Sequence, residues 1–166
     1  NLDPLIERRL ENIYSLSDGG SSESGDFIKL DLSTGEVTTS DTEWDIAVRS
    51  TRIIVNGGNM IGLFDEPARI GNGAVYIADG SLDSIGEVDI NELEQDDVND
   101  YAIPVGSGNG WYLYTGSPTH LIQPLDNKVL VFRTRDNKYA KMKIISFYKD
   151  EEELHQNARY YTVEYI

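Results

Sequence analysis

Hydrophobic and polar residues alternate along much of this chain with a period of two, the pattern of half-buried strands. The clearest case begins at Trp44. Trp44, Ile46 and Val48 fall on one face, and Asp45, Ala47 and Arg49 on the other. The apolar run continues through Ile53, Ile54 and Val55 until Asn56, Gly57 and Gly58 stop it. The segment reads as one strand entering a glycine-rich loop, because Asn and Gly tolerate the positive φ values that end an extended run. Ile28, Leu30 and Leu32 alternate with Lys29 and Asp31, and Ser33, Thr34 and Gly35 turn the chain into a strand at 36–39. Further strands are expected at 74–77, 111–114, 128–133, 139–148 and 160–165, with Asp136 and Asn137 forming a tight turn. Sequential strands joined by short turns favour antiparallel pairing over βαβ units. The expectation is a single antiparallel all-β domain with at most two short helices.

Some segments depart from that period. Leu2, Leu5, Ile6, Leu10 and Ile13 stand near helical spacing, with Asp3 as N-cap and Pro4 in the first turn, which predicts a short helix over 2–13. Residues 18–25 are rich in Gly and Ser and read as a flexible loop or linker. The chain therefore divides into an N-terminal helix and linker at 1–25 and a β domain at 26–166. A weak helical pattern runs from Asp89 through Leu93 to Val98, but Asp96, Asp97 and Asp100 crowd the end where the helix dipole disfavours acids. A helical turn or an ordered loop is expected there.

Composition acts mainly by exclusion. The chain has 166 residues, enough for a core without covalent staples. It has no cysteine, which removes disulfides, thiolate catalysis and cysteine zinc sites. Its 29 acidic against 14 basic residues give a net charge of −15, so nucleic acid and bare anionic lipid are not expected partners. Gly106, Gly108 and Gly110 precede an aromatic strand instead of a helix, which argues against a phosphate loop. An EF-hand starting at Asp89 fails because Leu93 and Glu94 occupy its fifth and sixth positions. A looser calcium site at Asp96, Asp97 and Asp100 competes with a plain solvated face. No serine-nucleophile elbow and no nucleophile–base pair emerges, so no enzyme is expected. His155 follows Glu151, Glu152 and Glu153 and reads as an exposed loop residue. His120, between Pro118 and the apolar pair Leu121 and Ile122, is either a hydrogen-bonded loop histidine or an iron ligand. Met60 lies in the glycine loop, whereas Met142 sits in a strand and reads as core.

Several of these features occur together in one family. The run from Trp44 to Ala47, the loop at Asn56, Gly57 and Gly58, and Gly73 to Val75 resemble the HmuY family. So do Gly110 with Trp111, the segment 128–141, and the closing segments 143–148 and 161–165. The resemblance covers residues 26–166. It implies an all-β fold on the outer-membrane surface of Bacteroidetes-type bacteria, or secreted, with a lipid anchor on a cysteine upstream of Asn1. It further implies iron acquisition: haem is taken from host haem carriers, held between two side chains from two loops, and passed to an outer-membrane receptor. This is scavenging, not catalysis. In the family pattern one histidine aligns with Gly116, whereas the histidine of this chain comes four residues later at His120. The other ligand aligns with the segment 89–100, which has no His, Met or Cys. The expectation is haem binding with altered axial ligation, His120 as metal ligand and Met60 or a tyrosine as its companion. The alternative is an HmuY-like binding module that has lost haem and takes another small ligand or a protein partner.

Overall fold

The computed structural model describes residues 7–166, and in that range the chain is built from eleven antiparallel strands. In chain order they are β1 (Arg8–Tyr14), β2 (Ile28–Asp31), β3 (Glu36–Thr38), β4 (Ile46–Arg49), β5 (Arg52–Val55) and β6 (Ala74–Asp79). β7 (Tyr112–Tyr114), β8 (Ile122–Pro124), β9 (Lys128–Arg133), β10 (Tyr139–Tyr148) and β11 (Ala158–Tyr165) follow. The only helical pieces among the described residues are three single 3-10 turns, at Ile90–Glu92, Lys149–Glu151 and His155–Asn157. A five-stranded sheet has the order β1-β11-β10-β9-β6, a four-stranded sheet the order β3-β2-β4-β5, and β7 and β8 form a separate hairpin. The all-β antiparallel expectation holds.

The core lies between the two larger sheets. Leu30, Ile46, Val48, Ile53 and Val55 from one meet Val75, Leu130, Phe132, Met142, Ile144 and Val163 from the other. Met142 is therefore core, as its strand position suggested. A second, smaller cluster of Phe27, Trp44, Ala47, Ile54 and Ile61 covers the opposite face of the four-stranded sheet. The segment 44–58 consequently differs from its simple alternation. It is two strands, not one, turned at Ser50 (φ 52°) and Thr51 without a glycine. Trp44 packs with Ala47 on the second cluster, away from Ile46 and Val48. With both faces covered, its polar residues are buried too: Asp45 is 3% exposed and Arg49 1%.

The helix expected at 2–13 is corrected where it can be seen, since residues 1–6 lie outside the described range. Residues 8–14 are an edge strand paired with β11, from Arg8 opposite Tyr165 to Tyr14 opposite Tyr160. A register shift between Leu10 and Ile13, with Asn12 at φ 56°, explains the misreading. The bulge turns two residues three apart toward the same core, and that spacing imitates a helix. The Gly- and Ser-rich segment 18–25 is tied down: Arg49 donates to the Gly25 carbonyl, and the Gly25 N–H donates to Asp65 at 2.8 Å. Arg52 also pairs with Glu23 at 2.7 Å.

Buried charges hold the loop 56–73 against the sheet. Glu66 accepts from the N–H groups of Ile61, Gly62 and Leu63 and pairs with Arg69 at 2.9 Å. Arg69 also pairs with Asp96 at 3.1 Å, and Asp96 accepts from the N–H groups of Val55 and Ala102. These three side chains are 0–1% exposed. A second group joins Asp31 and Asp45 to Arg135, across from β2 and β4 to the β9–β10 turn. Gly57 is required at its position, since a Cβ there would lie 1.9 Å from the Gly73 carbonyl oxygen.

Burial opposes the Glu66 charge, yet the three N–H groups and Arg69 hold its carboxyl below the ordinary range. For Asp31, burial is likewise outweighed, by Ser33 and Arg135. At Asp45 and Asp96 burial prevails and raises the carboxyls. A depressed acid adds stability above its unfolded pKa, lost as pH falls through the folded value. A raised one adds stability below its unfolded pKa, lost as pH rises through the folded value. Stability should therefore be highest near the ordinary carboxylate pKa, about pH 4, falling below it as the depressed acids are protonated and falling above it as the raised ones ionise. Urea midpoints measured across pH check this. A midpoint climbing steadily to pH 8 would contradict it.

Candidate functional site

The β7–β8 hairpin stands outside both sheets and is held at its base. Trp111 precedes it, buried against Phe147 and Tyr161, with its indole N–H donating to the Thr51 carbonyl at 2.9 Å. Along its length, the Tyr148 hydroxyl accepts from Ile122 N at 2.8 Å, and Gln123 donates to Glu153 at 2.7 Å. A cavity of about 550 Å³ lies beside it, lined by Leu113, Ile122, Leu125, Phe147, Glu151 and Glu153.

The loop 115–121 closes the hairpin and carries His120. Thr115 Oγ1 meets Thr119 Oγ1 at 2.6 Å and accepts from Leu121 N, while His120 N donates to the Gly116 carbonyl at 2.7 Å. These bonds set His120 at φ 51°, a left-handed conformation that His, Asn and Asp enter more readily than most residues. The imidazole is exposed, and its Nδ1 hydrogen-bonds the hydroxyl of Tyr114. Both readings of His120 start from this geometry: it is a hydrogen-bonded loop histidine, and no described protein group hydrogen-bonds its Nε2. A ring whose other nitrogen is already oriented is the usual state of a metal-ligating histidine.

His155 reaches the same loop. From the 3-10 turn before β11 its Nε2 donates to the Thr119 carbonyl at 3.1 Å, so the chain's two histidines converge on neighbouring residues. The sequence places them 35 residues apart with no motif between, and only the β10–β11 hairpin brings them together. Its exposure matches the expectation, but its position beside His120 was invisible in the sequence. Met60 lies on another loop. It is exposed on the loop that leaves β5 after Val55, whereas the hairpin base leans on Thr51 at the start of that strand. Its neighbours Asn59 and Ile61 are tied to the segment 89–100, Asn59 N–H donating to the Asp96 carbonyl at 2.8 Å and Asn99 N–H to the Ile61 carbonyl at 3.0 Å. Asp96 is occupied by Arg69 and two backbone N–H groups, which leaves no calcium site with Asp97 and Asp100. Among the described residues, no three His, Asp or Glu side chains are grouped to hold a bare metal ion.

The left-handed backbone at His120 yields a stability prediction. His120→Gly should be neutral or stabilising by up to about 1 kcal/mol, because glycine adopts this conformation freely. His120→Ala should lose about 1 kcal/mol. Urea unfolding of both variants compares them directly.

Two facing antiparallel sheets with a hairpin raised from one side, its tip carrying histidine and tyrosine, define a β-sandwich-like module. A sequence model of the HmuY protein family matches residues 23–165, and the chain belongs to that family. Solved structures agree on the fold. An apo HmuY analog from Tannerella forsythia superposes with a TM-score of 0.64 at 12% identity, covering 96% of this chain and 94% of that one. A putative lipoprotein from Bacteroides fragilis NCTC 9343 gives 0.55 at 16% identity, with 96% and 89% covered. A putative HmuY-like heme binding protein from Bacteroides vulgatus ATCC 8482 gives 0.55 at 15%, with 96% and 91% covered. No curated protein sequence matches this chain.

Proposed function

We propose that this chain is a haem-binding, haem-scavenging module of the HmuY type, with iron held at the hairpin tip on His120. The observation that carries the reading is the Tyr114–His120 hydrogen bond, which orients an exposed imidazole at a loop tip. The donor set suits iron porphyrin better than a bare cation. A porphyrin supplies four equatorial nitrogens, so one or two axial side chains suffice, and the tip offers His120, with His155 and Tyr114 beside it. Family membership suggests its setting: a lipid-anchored or secreted protein at the outer-membrane surface of a Bacteroidetes-type bacterium. There it would exchange haem with a host carrier or an outer-membrane receptor. The role is carriage without catalysis. Turnover of a glycoside panel, abolished by changing one carboxylate, would overturn that part.

Haemin titration tests the core of the reading. A Soret shift is expected for the wild type and should be lost in His120→Ala. An equal shift in both removes His120 from the site. The acidic run Glu151, Glu152 and Glu153 next to His155 repels the haem propionates, so added salt should tighten binding by screening that repulsion. Affinity should also be lower than in a member with both conventional ligands.

A second reading is favoured by a specific feature. Gly116 stands where the family's histidine is expected, and the segment 89–100 has no His, Met or Cys. The alternative is a module that has lost haem and binds another small ligand or a protein, and no Soret shift in either protein would select it.

A further inference from the structure

The root of the β7–β8 hairpin carries a reactive pair that the fold suppresses at two other places. An asparagine directly before a glycine is open to attack of the glycine nitrogen on the asparagine carboxamide, because glycine has no Cβ to hinder the approach. The chain holds three such pairs, Asn56–Gly57, Asn72–Gly73 and Asn109–Gly110.

Two of them are locked. Asn56 is 0% exposed, and its carboxamide donates to the Thr42 and Trp44 carbonyls and accepts from the N–H groups of Ile70 and Gly71. Asn72 is exposed, but the attacking group is held, since the Gly73 N–H donates to the Asn56 carbonyl at 2.8 Å. The Asn72 side chain also donates to Asn137 and accepts from Arg133 at 3.4 Å. Asn109–Gly110 has neither restraint. Asn109 is exposed, and its carboxamide makes a single hydrogen bond, donating to the Val105 carbonyl at 3.1 Å. The Gly110 N–H finds no acceptor among the described residues.

We propose that Asn109 is a site of spontaneous deamidation through a cyclic imide, and that its isoaspartyl product loosens the hairpin. The Gly110 nitrogen gives its proton to water and bonds to Asn109 Cγ. The bond from Cγ to the side-chain nitrogen breaks, and that nitrogen leaves with a proton as ammonia. Water then opens the five-membered imide at one of its two carbonyls. Opening at Cγ gives aspartate. Opening at the main-chain carbonyl leaves Gly110 joined through Cγ, an isoaspartate whose main chain is one carbon longer. That carbon enters just before Gly110, which is buried so closely that a Cβ would lie 2.1 Å from the Pro104 carbonyl oxygen. Trp111, the next residue, is 3% exposed and roots the hairpin. With Gly110 and Trp111 both packed, the longer main chain has to displace one of them. The inference is independent of whether haem binds at the hairpin tip.

The full chain is aged in warm, mildly alkaline buffer made with heavy-oxygen water, and its peptides are mapped by mass spectrometry. Conversion at Asn109, with heavy oxygen in the new carboxylate, should run about tenfold or more faster than at Asn56 or Asn72, where native hydrogen bonds must break first. In denatured protein the three rates should draw together. Conversion at Asn109 no faster than at the other two overturns the assignment, as does a ranking unchanged by denaturation, since that belongs to local sequence and not to the fold. Asn109→Gln keeps the amide but would need a six-membered ring, so it should not convert. Asn109→Asp adds the charge without lengthening the main chain. Amide hydrogen exchange over residues 112–124 should be faster in the aged wild type, in proportion to its isoaspartate content, and unchanged in Asn109→Asp and in aged Asn109→Gln. Exchange that stays slow in the aged wild type, or that rises equally in Asn109→Asp, overturns the effect on the hairpin.

Discussion

Replacing Arg69 with methionine is expected to destabilise the fold by about 3–5 kcal/mol, because it strands two buried carboxylates without their cation. Glu66 keeps its three backbone donors and Asp96 keeps two, so the side chains cannot simply turn out to water. The loss should fall first on the loop 56–73, whose inner surface these charges fasten. The Ile61 and Leu63 contacts with Trp44 and Ile54 should loosen with it. Urea unfolding gives the magnitude, and amide hydrogen exchange shows where protection goes. The triple variant Glu66→Gln, Arg69→Met, Asp96→Asn should recover part of the loss, since removing all three charges abolishes the stranded ones. A single Arg69→Met change below about 1 kcal/mol would place this pairing among ordinary surface ion pairs.

Trp111→Ala should cost a similar amount, about 3–5 kcal/mol. The indole is 3% exposed and packs on Phe147 at 5.7 Å and Tyr161 at 5.4 Å between ring centroids. Its N–H is bonded to the turn between β4 and β5. Truncation opens a cavity where the hairpin joins the core and leaves the Thr51 carbonyl without that donor. The consequence reaches the candidate site. Tyr114 and His120 hang from the hairpin that Trp111 roots, so in this variant haemin affinity should fall even at temperatures where the sheets remain folded. Tyr161→Phe, which removes only the 2.7 Å hydrogen bond to the Ser50 carbonyl, should cost far less, about 1–2 kcal/mol.

The strands of this fold were legible wherever one face met the core and the other met water. β10 follows its alternation, burying every second residue from Ala140 to Ser146. Legibility failed where that condition fails. β4 and β5 are buried on both faces, so the face assignment of Trp44 could not be read from period alone. Their turn at Ser50 and Thr51 has no glycine or asparagine to announce it. β1 was hidden by its own bulge, and β8 is only three residues long and ends in Pro124. The site was legible in part. His120 stands out because of its neighbours in sequence, but its bond to Tyr114 and the approach of His155 depend on how two hairpins pack. Asp96 looked like one acid among many. Only burial singles it out, and burial of a lone carboxylate in an acidic run has no sequence pattern.

The pairing of β1 with β11 sets the order in which this protein can form. Arg8 lies opposite Tyr165, so the outermost ladder of the larger sheet joins the two extremes of the described chain. Loop-closure entropy must be met before that ladder returns any stabilisation, and sheets dominated by distant pairs fold in about milliseconds to seconds instead of microseconds. A chain emerging in order from its N-terminal end cannot close this sheet until its last strand has arrived. Until then β10 has no partner on its β11 side, and β1 has no partner at all. Closure of this sheet is therefore gated by the eight residues of β11. A protein lacking β11 should leave β1 unpaired and β10 with an open edge, reducing the larger sheet to β10, β9 and β6.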